Sequence, residues 1–247
     1  MALLAACGGG IPEVGDPAGV EVMPDLAPEP PVDLRTRTEG DRLTVRFSST
    51  LVNVGQGDFI LRGTRTFDEW AVEQEISYSE GGGELRPTSA IMVWGGDGHE
   101  HWHIERVATY TLYRLDDSGE VVDDDIALPD AKVGFCFYDH TRSFEDGPAE
   151  AVYSHEDCGD QEDNEIRMAM SVGWSDIYDF DLPGQSIEIT DLEDGFYRVV
   201  GVADPQNWFE EADEENNMTW IDFELMTQDD LRLASLIDVG PNPGESG

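Results

Sequence analysis

Arg42-Leu43-Thr44-Val45-Arg46-Phe47 is the stretch that decides how this chain folds. Leu43, Val45 and Phe47 alternate with Thr44 and Arg46, so every second side chain is apolar. That two-residue period marks a half-buried strand, because successive side chains of an extended backbone point to opposite faces. Just beyond it, residues 53–58 supply a glycine-rich turn. Further strand candidates cover 89–94, 101–115, 185–190, 196–203 and 218–225. Turn chemistry separates them at Asp117-Ser118-Gly119, Leu182-Pro183-Gly184 and Asp194-Gly195. No segment carries a sustained helical stripe. Many short strands with Gly and Pro turns predict an all-β chain, a single antiparallel β-sandwich core with long loops and few short helices.

With 247 residues the chain can hold one full core. Its expected organisation is a leader remnant at 1–7, a Pro/Gly/acidic tether at 8–40 with little regular structure, a catalytic or binding domain at 41–226, and a tail at 227–247. Asp and Glu total 54 against 14 Lys plus Arg, a formal net charge of −40. Such a charge excludes binding to nucleic acid phosphates. The acids are spread along the whole chain, which keeps a protein hydrated and is a lever used by halophiles, so a high-salt habitat is expected.

Leu4-Ala5-Ala6-Cys7, followed at once by glycines, resembles the cleavage site of bacterial-type lipoproteins. The resemblance implies lipid on the Cys7 thiol and an exported protein, at the cell surface, in the periplasm or secreted. Only six residues precede Cys7, too few for a charged n-region and a full apolar h-region, and an ordinary Ala-rich start is the plain alternative. No run is long enough to span a bilayer, so the membrane enters only through that anchor. If Cys7 carries lipid, Cys136 and Cys158 remain and can pair, as an exported chain permits; two reduced buried thiols are the alternative. A disulfide closing that loop contributes on the order of 3 kcal/mol by the chain-entropy estimate.

Three of the five histidines fall in Gly98-His99-Glu100-His101-Trp102-His103. On an extended strand His99, His101 and His103 present three imidazoles to one side. That spacing suits a metal with nitrogen ligands and an open position, copper or zinc. Lys132 is the only lysine; the other basic residues are arginines. Either it is a chance survivor, or its amine does what a guanidinium cannot, because Arg is effectively never a nucleophile.

Lys132-Val133-Gly134-Phe135-Cys136-Phe137 is followed by Ser171-Val172-Gly173-Trp174-Ser175-Asp176-Ile177-Tyr178, then by Asp194-Gly195-Phe196-Tyr197 and Asp204-Pro205-Gln206-Asn207. In this order, behind H-x-H-x-H, the set closely resembles the catalytic domain of the lysyl oxidases, over about residues 25–225. The resemblance implies a copper amine oxidase with a lysine tyrosylquinone cofactor. His99, His101 and His103 match the family's copper ligands, and Lys132 and Tyr178 match the residues that cross-link into the quinone. Asp176 matches the base that removes the substrate's α proton. Asp25, the Leu26 carbonyl, Glu211, Asp213, Asn216 and Asn217 match a calcium site. The expected reaction converts primary amines, peptidyl lysine or small amines, and dioxygen to aldehyde, ammonia and hydrogen peroxide. Read without the family, Tyr178 is a core aromatic and Asp176 a turn or cap residue. Two other functions need fewer of these residues: a non-catalytic copper- or zinc-binding surface lipoprotein, and a zinc hydrolase using three histidines and a water.

Overall fold

The computed structural model describes residues 11–95, 100–122, 131–229 and 231–243, and the side chains of 131–133 are not among what it describes. The chain is all-β, with every strand pairing antiparallel. Among the described residues the one helical element is a 3-10 turn, His155–Cys158. The strands form three sheets around one core rather than the two layers of a simple sandwich.

Arg42–Asn53 is the organising strand. One edge pairs with Leu26–Glu39 and the other with Trp174–Tyr178 and Ser186–Glu188. The alternation around Phe47 correctly predicts a strand, but the strand is not half-buried. Every residue from Thr44 to Asn53 is buried, because layers lie on both faces. Its polar side chains are therefore satisfied inside. Arg46, 5% exposed, donates to the Phe180 and Leu182 carbonyls and pairs with Glu39 at 2.7 Å. Ser48 Oγ donates to Asp33 and accepts from the Phe180 N–H. On the apolar side Phe47 meets Tyr110 at a centroid distance of 5.1 Å, a burial that contributes about 2–3 kcal/mol.

Two expectations about the chain ends are corrected. Residues 26–39, read as tether, form a 14-residue strand. Their prolines, Pro28, Pro30 and Pro31, hide a strand by composition. They are tolerated because this strand lies at a sheet edge, where a missing N–H costs no ladder bond, and the register shifts around Val32 absorb them. The hairpin to Arg42 turns at Gly40, whose φ of 69° favours glycine. Residues 231–239, read as tail, form the strand Leu231–Val239 against Met218–Gln228.

Two further strands carry the site. Trp102–Leu115 lies between Gly195–Ala203 and Ala131–Phe135 in the second large sheet. Trp174–Tyr178 belongs to the sheet of Arg42–Asn53. No helix among the described residues is long and apolar enough to cross a membrane.

Candidate metal and cofactor site

His101 and His103 flank Trp102, and the strand's alternation turns both imidazoles to one side while Trp102 packs with Trp70 and Trp94 on the other. Both histidines are nearly buried, and their Nε2 atoms stand 2.7 Å apart. Two ring nitrogens that converge this closely suit one shared cation. His99 lies outside the described residues.

Asp176 and Tyr178, two apart on Trp174–Tyr178, likewise share a face. The Tyr178 hydroxyl is 3.4 Å from His103 Nε2, and its ring lies 4.5 Å from Phe135. Burial and the neighbouring Asp176 carboxylate push this phenol well above the ordinary tyrosine range. Asp176 is 1% exposed, and neither of its carboxylate oxygens has a hydrogen-bond partner. Burial pushes its pKa up to about 6, with His140 opposing. The two strands thus bring together His101, His103, Asp176 and Tyr178 from distant stretches of sequence.

Lys132 lies on Ala131–Phe135, in register with Thr109 of the histidine strand. Its side chain is outside the described residues. Two positions on, Gly134 approaches closely: a Cβ there would stand 3.2 Å from the Ile104 carbonyl oxygen and 3.4 Å from His103 Cβ. The glycine lets this strand press against the histidine strand without displacing His103.

Four nearby side chains were missed by sequence reasoning. His155 packs its ring 4.4 Å from His101, Tyr138 stacks on His140 at 5.3 Å, and Phe135 covers Tyr178. One signal did exist, since the two histidines outside the H-x-H-x-H motif both fall between Cys136 and Cys158. The disulfide between those cysteines, with Cα atoms 5.8 Å apart, folds that segment back over the site. Asp139 pins the same segment by accepting hydrogen bonds from the N–H groups of Val152, Tyr153 and Ser171 and from Ser171 Oγ. The donor atoms of His101, His155 and Cys136 lie within 4.8 Å of one another. Because the Cys136 sulfur is in the disulfide, the nitrogens are the donors available to a metal.

These residues line a cavity of about 150 Å³ formed by His101, Tyr138, His140, His155, Asp176 and Tyr178 with their neighbours. That is small beside the roughly 300–1,000 Å³ of drug-sized ligand sites.

A second cluster lies where the start of Leu26–Glu39 meets the loop before Met218. The Ala212 N–H donates to the Pro24 carbonyl, and the Leu26 N–H donates to the Glu211 carboxylate. Asn216 Nδ2 donates to Asp25 at 2.8 Å, and Asn217 Nδ2 to Glu211 at 3.2 Å. The side-chain oxygens of Asn216 and Asn217 and one oxygen of Asp204 are buried with no partner. Burial pushes Glu211 up to about 9 and raises Asp25, Asp204 and Glu214 as well. Orphaned oxygens among crowded carboxylates are the donor set of a hard cation. Asp204 and Glu214 join the residues expected from sequence, while Leu26 shows its N–H rather than its carbonyl to Glu211.

The family model described as Lysyl oxidase matches residues 73–232, about two thirds of the chain. The match spans the histidine motif, Lys132, Asp176, Tyr178 and the 211–217 loop, and begins after Asp25 and Leu26. Among curated proteins, none matches this chain.

Proposed function

From the premise that this chain belongs to the lysyl oxidase family, we propose that it is a copper-dependent amine oxidase that converts primary amines to aldehydes. The supporting observation is the cavity lined by His101, Asp176 and Tyr178, with His103 Nε2 beside it, 2.7 Å from His101 Nε2 and 3.4 Å from the Tyr178 hydroxyl. The convergent nitrogens of His101 and His103 fit a copper ion, with His99 as the third ligand of the family motif. Copper and a lysine tyrosylquinone made from Lys132 and Tyr178 would supply a carbonyl that condenses with a primary amine and draws electrons from its α carbon.

This chain's own residues do the rest. Phe135 packs against Tyr178 and holds its ring at the cavity wall. Asp176 takes the α proton, for which a carboxylate with a pKa near the working pH is suited. The small cavity accommodates the end of an aminoalkyl chain, and the net charge of −40 attracts cationic amines at a distance. Calcium is the proposed occupant of the Asp25, Glu211, Asp213, Asn216 and Asn217 cluster, where the partnerless amide oxygens support it. Export is proposed too, with lipid on Cys7, which lies outside the described residues; the disulfide supports an oxidising compartment.

Copper-loaded protein in air is expected to react with phenylhydrazine and to release hydrogen peroxide when given a primary amine. Lys132→Arg keeps the charge but removes the only lysine amine, so it should bind copper normally and release no peroxide. Equal amine oxidation by wild type and Lys132→Arg would falsify this function and leave a metal-binding protein without turnover.

A further inference from the structure

Asp176 has an unusual position for a group that must gain and lose a proton in every turnover. Its carboxylate is sealed from solvent, and neither oxygen has a hydrogen-bond partner. The titratable groups around this cavity are His101, Tyr138, His140, His155, Tyr178 and Asp179. Of these, His140 stands closest to Asp176 with an opposite charge available, its Nδ1 3.7 Å from Oδ1. The His155 ring packs on His101 and Tyr138 instead. The His140 side chain is 38% exposed, so one ring spans the distance from the buried carboxylate to solvent.

The ring is also held in place. The His140 N–H donates to the Ser175 carbonyl, one residue before Asp176, at 3.2 Å and to the Tyr138 carbonyl at 3.0 Å. Its imidazole stacks on Tyr138 with an interplanar angle of 18°. The next residue, Thr141, pairs directly with Ser175. His140 is therefore docked on the strand that carries the base.

We infer that His140 is the proton outlet of Asp176, a positioning and relay residue behind the base. The inference rests on the amine oxidase reading. When the α C–H bond of the bound amine breaks, its electron pair leaves toward the cofactor and its proton goes to the Asp176 carboxylate. The resulting carboxylic acid passes that proton to Nδ1 of neutral His140. The imidazolium then gives a proton from its solvent-facing nitrogen to water, which frees Asp176 for the next turnover, and proton exchange of the half-exposed ring with water returns His140 to the tautomer with a bare Nδ1. The gap of 3.7 Å is longer than a hydrogen bond and closes by a small ring rotation or through one bridging water. The Asp176 and Asp179 charges raise the affinity of His140 for a proton, which suits it as the acceptor.

The test compares His140→Gln and His140→Phe with wild type, all copper-loaded, with copper content and phenylhydrazine reactivity measured first. With those two unchanged, kcat for a primary amine should fall at least about 10-fold, with little change in KM and with a displaced pH profile. Free imidazole added to the buffer should restore much of the loss. Unchanged kcat and pH profile, or a loss that imidazole does not rescue, overturns the relay. A second readout needs no turnover: the His140 ring, followed by NMR titration, should lose its raised pKa in Asp176→Asn. A His140 that titrates identically in both proteins overturns the pairing even if the amine oxidase reading stands. A wild type without turnover, with the NMR coupling intact, instead overturns the function.

Discussion

The two candidate metal clusters bury carboxylates for opposite ends. Asp176 is fixed on a paired strand and sealed, with no partner at hydrogen-bond distance and His140 3.7 Å away, so its burial raises its pKa up to about 6. Glu211 sits on a loop, crowded by Asp204 and Glu214 and facing partnerless amide oxygens of Asn216 and Asn217. Burial raises both groups, but their surroundings differ. Around Asp176 are rings and one half-exposed histidine, which favour moving a proton. Around Glu211 are more carboxylates and amides, which favour neutralisation by a cation. The same desolvation raises both carboxylates, and the neighbours are what suit one to the proposed base and the other to the proposed cation site.

The largest effect that would sharpen this contrast is on turnover. Asp176→Asn should lower kcat by about 10²-fold or more, since it removes the base while copper content is retained. A variant with wild-type kcat would place the base elsewhere. Glu211→Gln should leave kcat within a few fold at a temperature where the variant stays folded, because that cluster does not touch the cavity.

Calcium removal should invert the pattern. Binding to the native state alone stabilises by about 2.7 kcal/mol at a ligand concentration 100 times Kd. Chelation should therefore lower Tm and speed hydrogen exchange at Asp25 and Leu26, and Glu211→Gln should abolish that response while Asp176→Asn keeps it. Melting curves indifferent to chelator, in low and high salt alike, would remove the calcium site. Both salt conditions are needed because a charge of −40 repels itself and high salt relieves that repulsion.

The smallest expected effect is on stability against pH. The native state holds the Asp176 proton up to about pH 6, whereas an unfolded aspartate releases it near 3.8. A raised pKa of this sign stabilises fully below pH 3.8, and the contribution is lost as pH rises through 6. His140, whose pKa is also raised, acts in the same direction. Relative to wild type, Asp176→Asn should therefore gain about 2 kcal/mol of stability between pH 4 and pH 8, read as a widening difference in Tm. A constant difference would show that burial at this site does not hold the proton.

Much of this was legible in the residues because it depends on local pattern. The alternation at Leu43, Val45 and Phe47 announces a strand, and the spacing of His101 and His103 places two imidazoles on one side. Lys132 stands out as the single lysine beside thirteen arginines, which singles out an amine without deciding its role. The pairing of Cys136 with Cys158 was one of two expectations from cysteine number, and the structure shows it. Each of these needs no knowledge of what packs against it.

Other features depend on partners far away in sequence. The alternation of Thr44, Arg46 and Ser48 could not reveal that all three are buried, since that requires a layer on their face as well. The prolines of 26–39 argue against a strand until an edge position makes their missing N–H groups harmless. The proximity of Asp176 and Tyr178 to His103 is set by two strands more than 70 residues apart, one in each of two sheets. His140 and His155 reach the cavity only because a disulfide and the four hydrogen bonds to Asp139 fold their segment over it. By itself the sequence determined the strand-forming texture, the candidate donor atoms and the presence of a single lysine amine, because periodicity and residue chemistry are local. Only the tertiary structure decided which carboxylate lost its water and which histidine faced it, because burial and pKa are set by neighbours brought in from elsewhere along the chain.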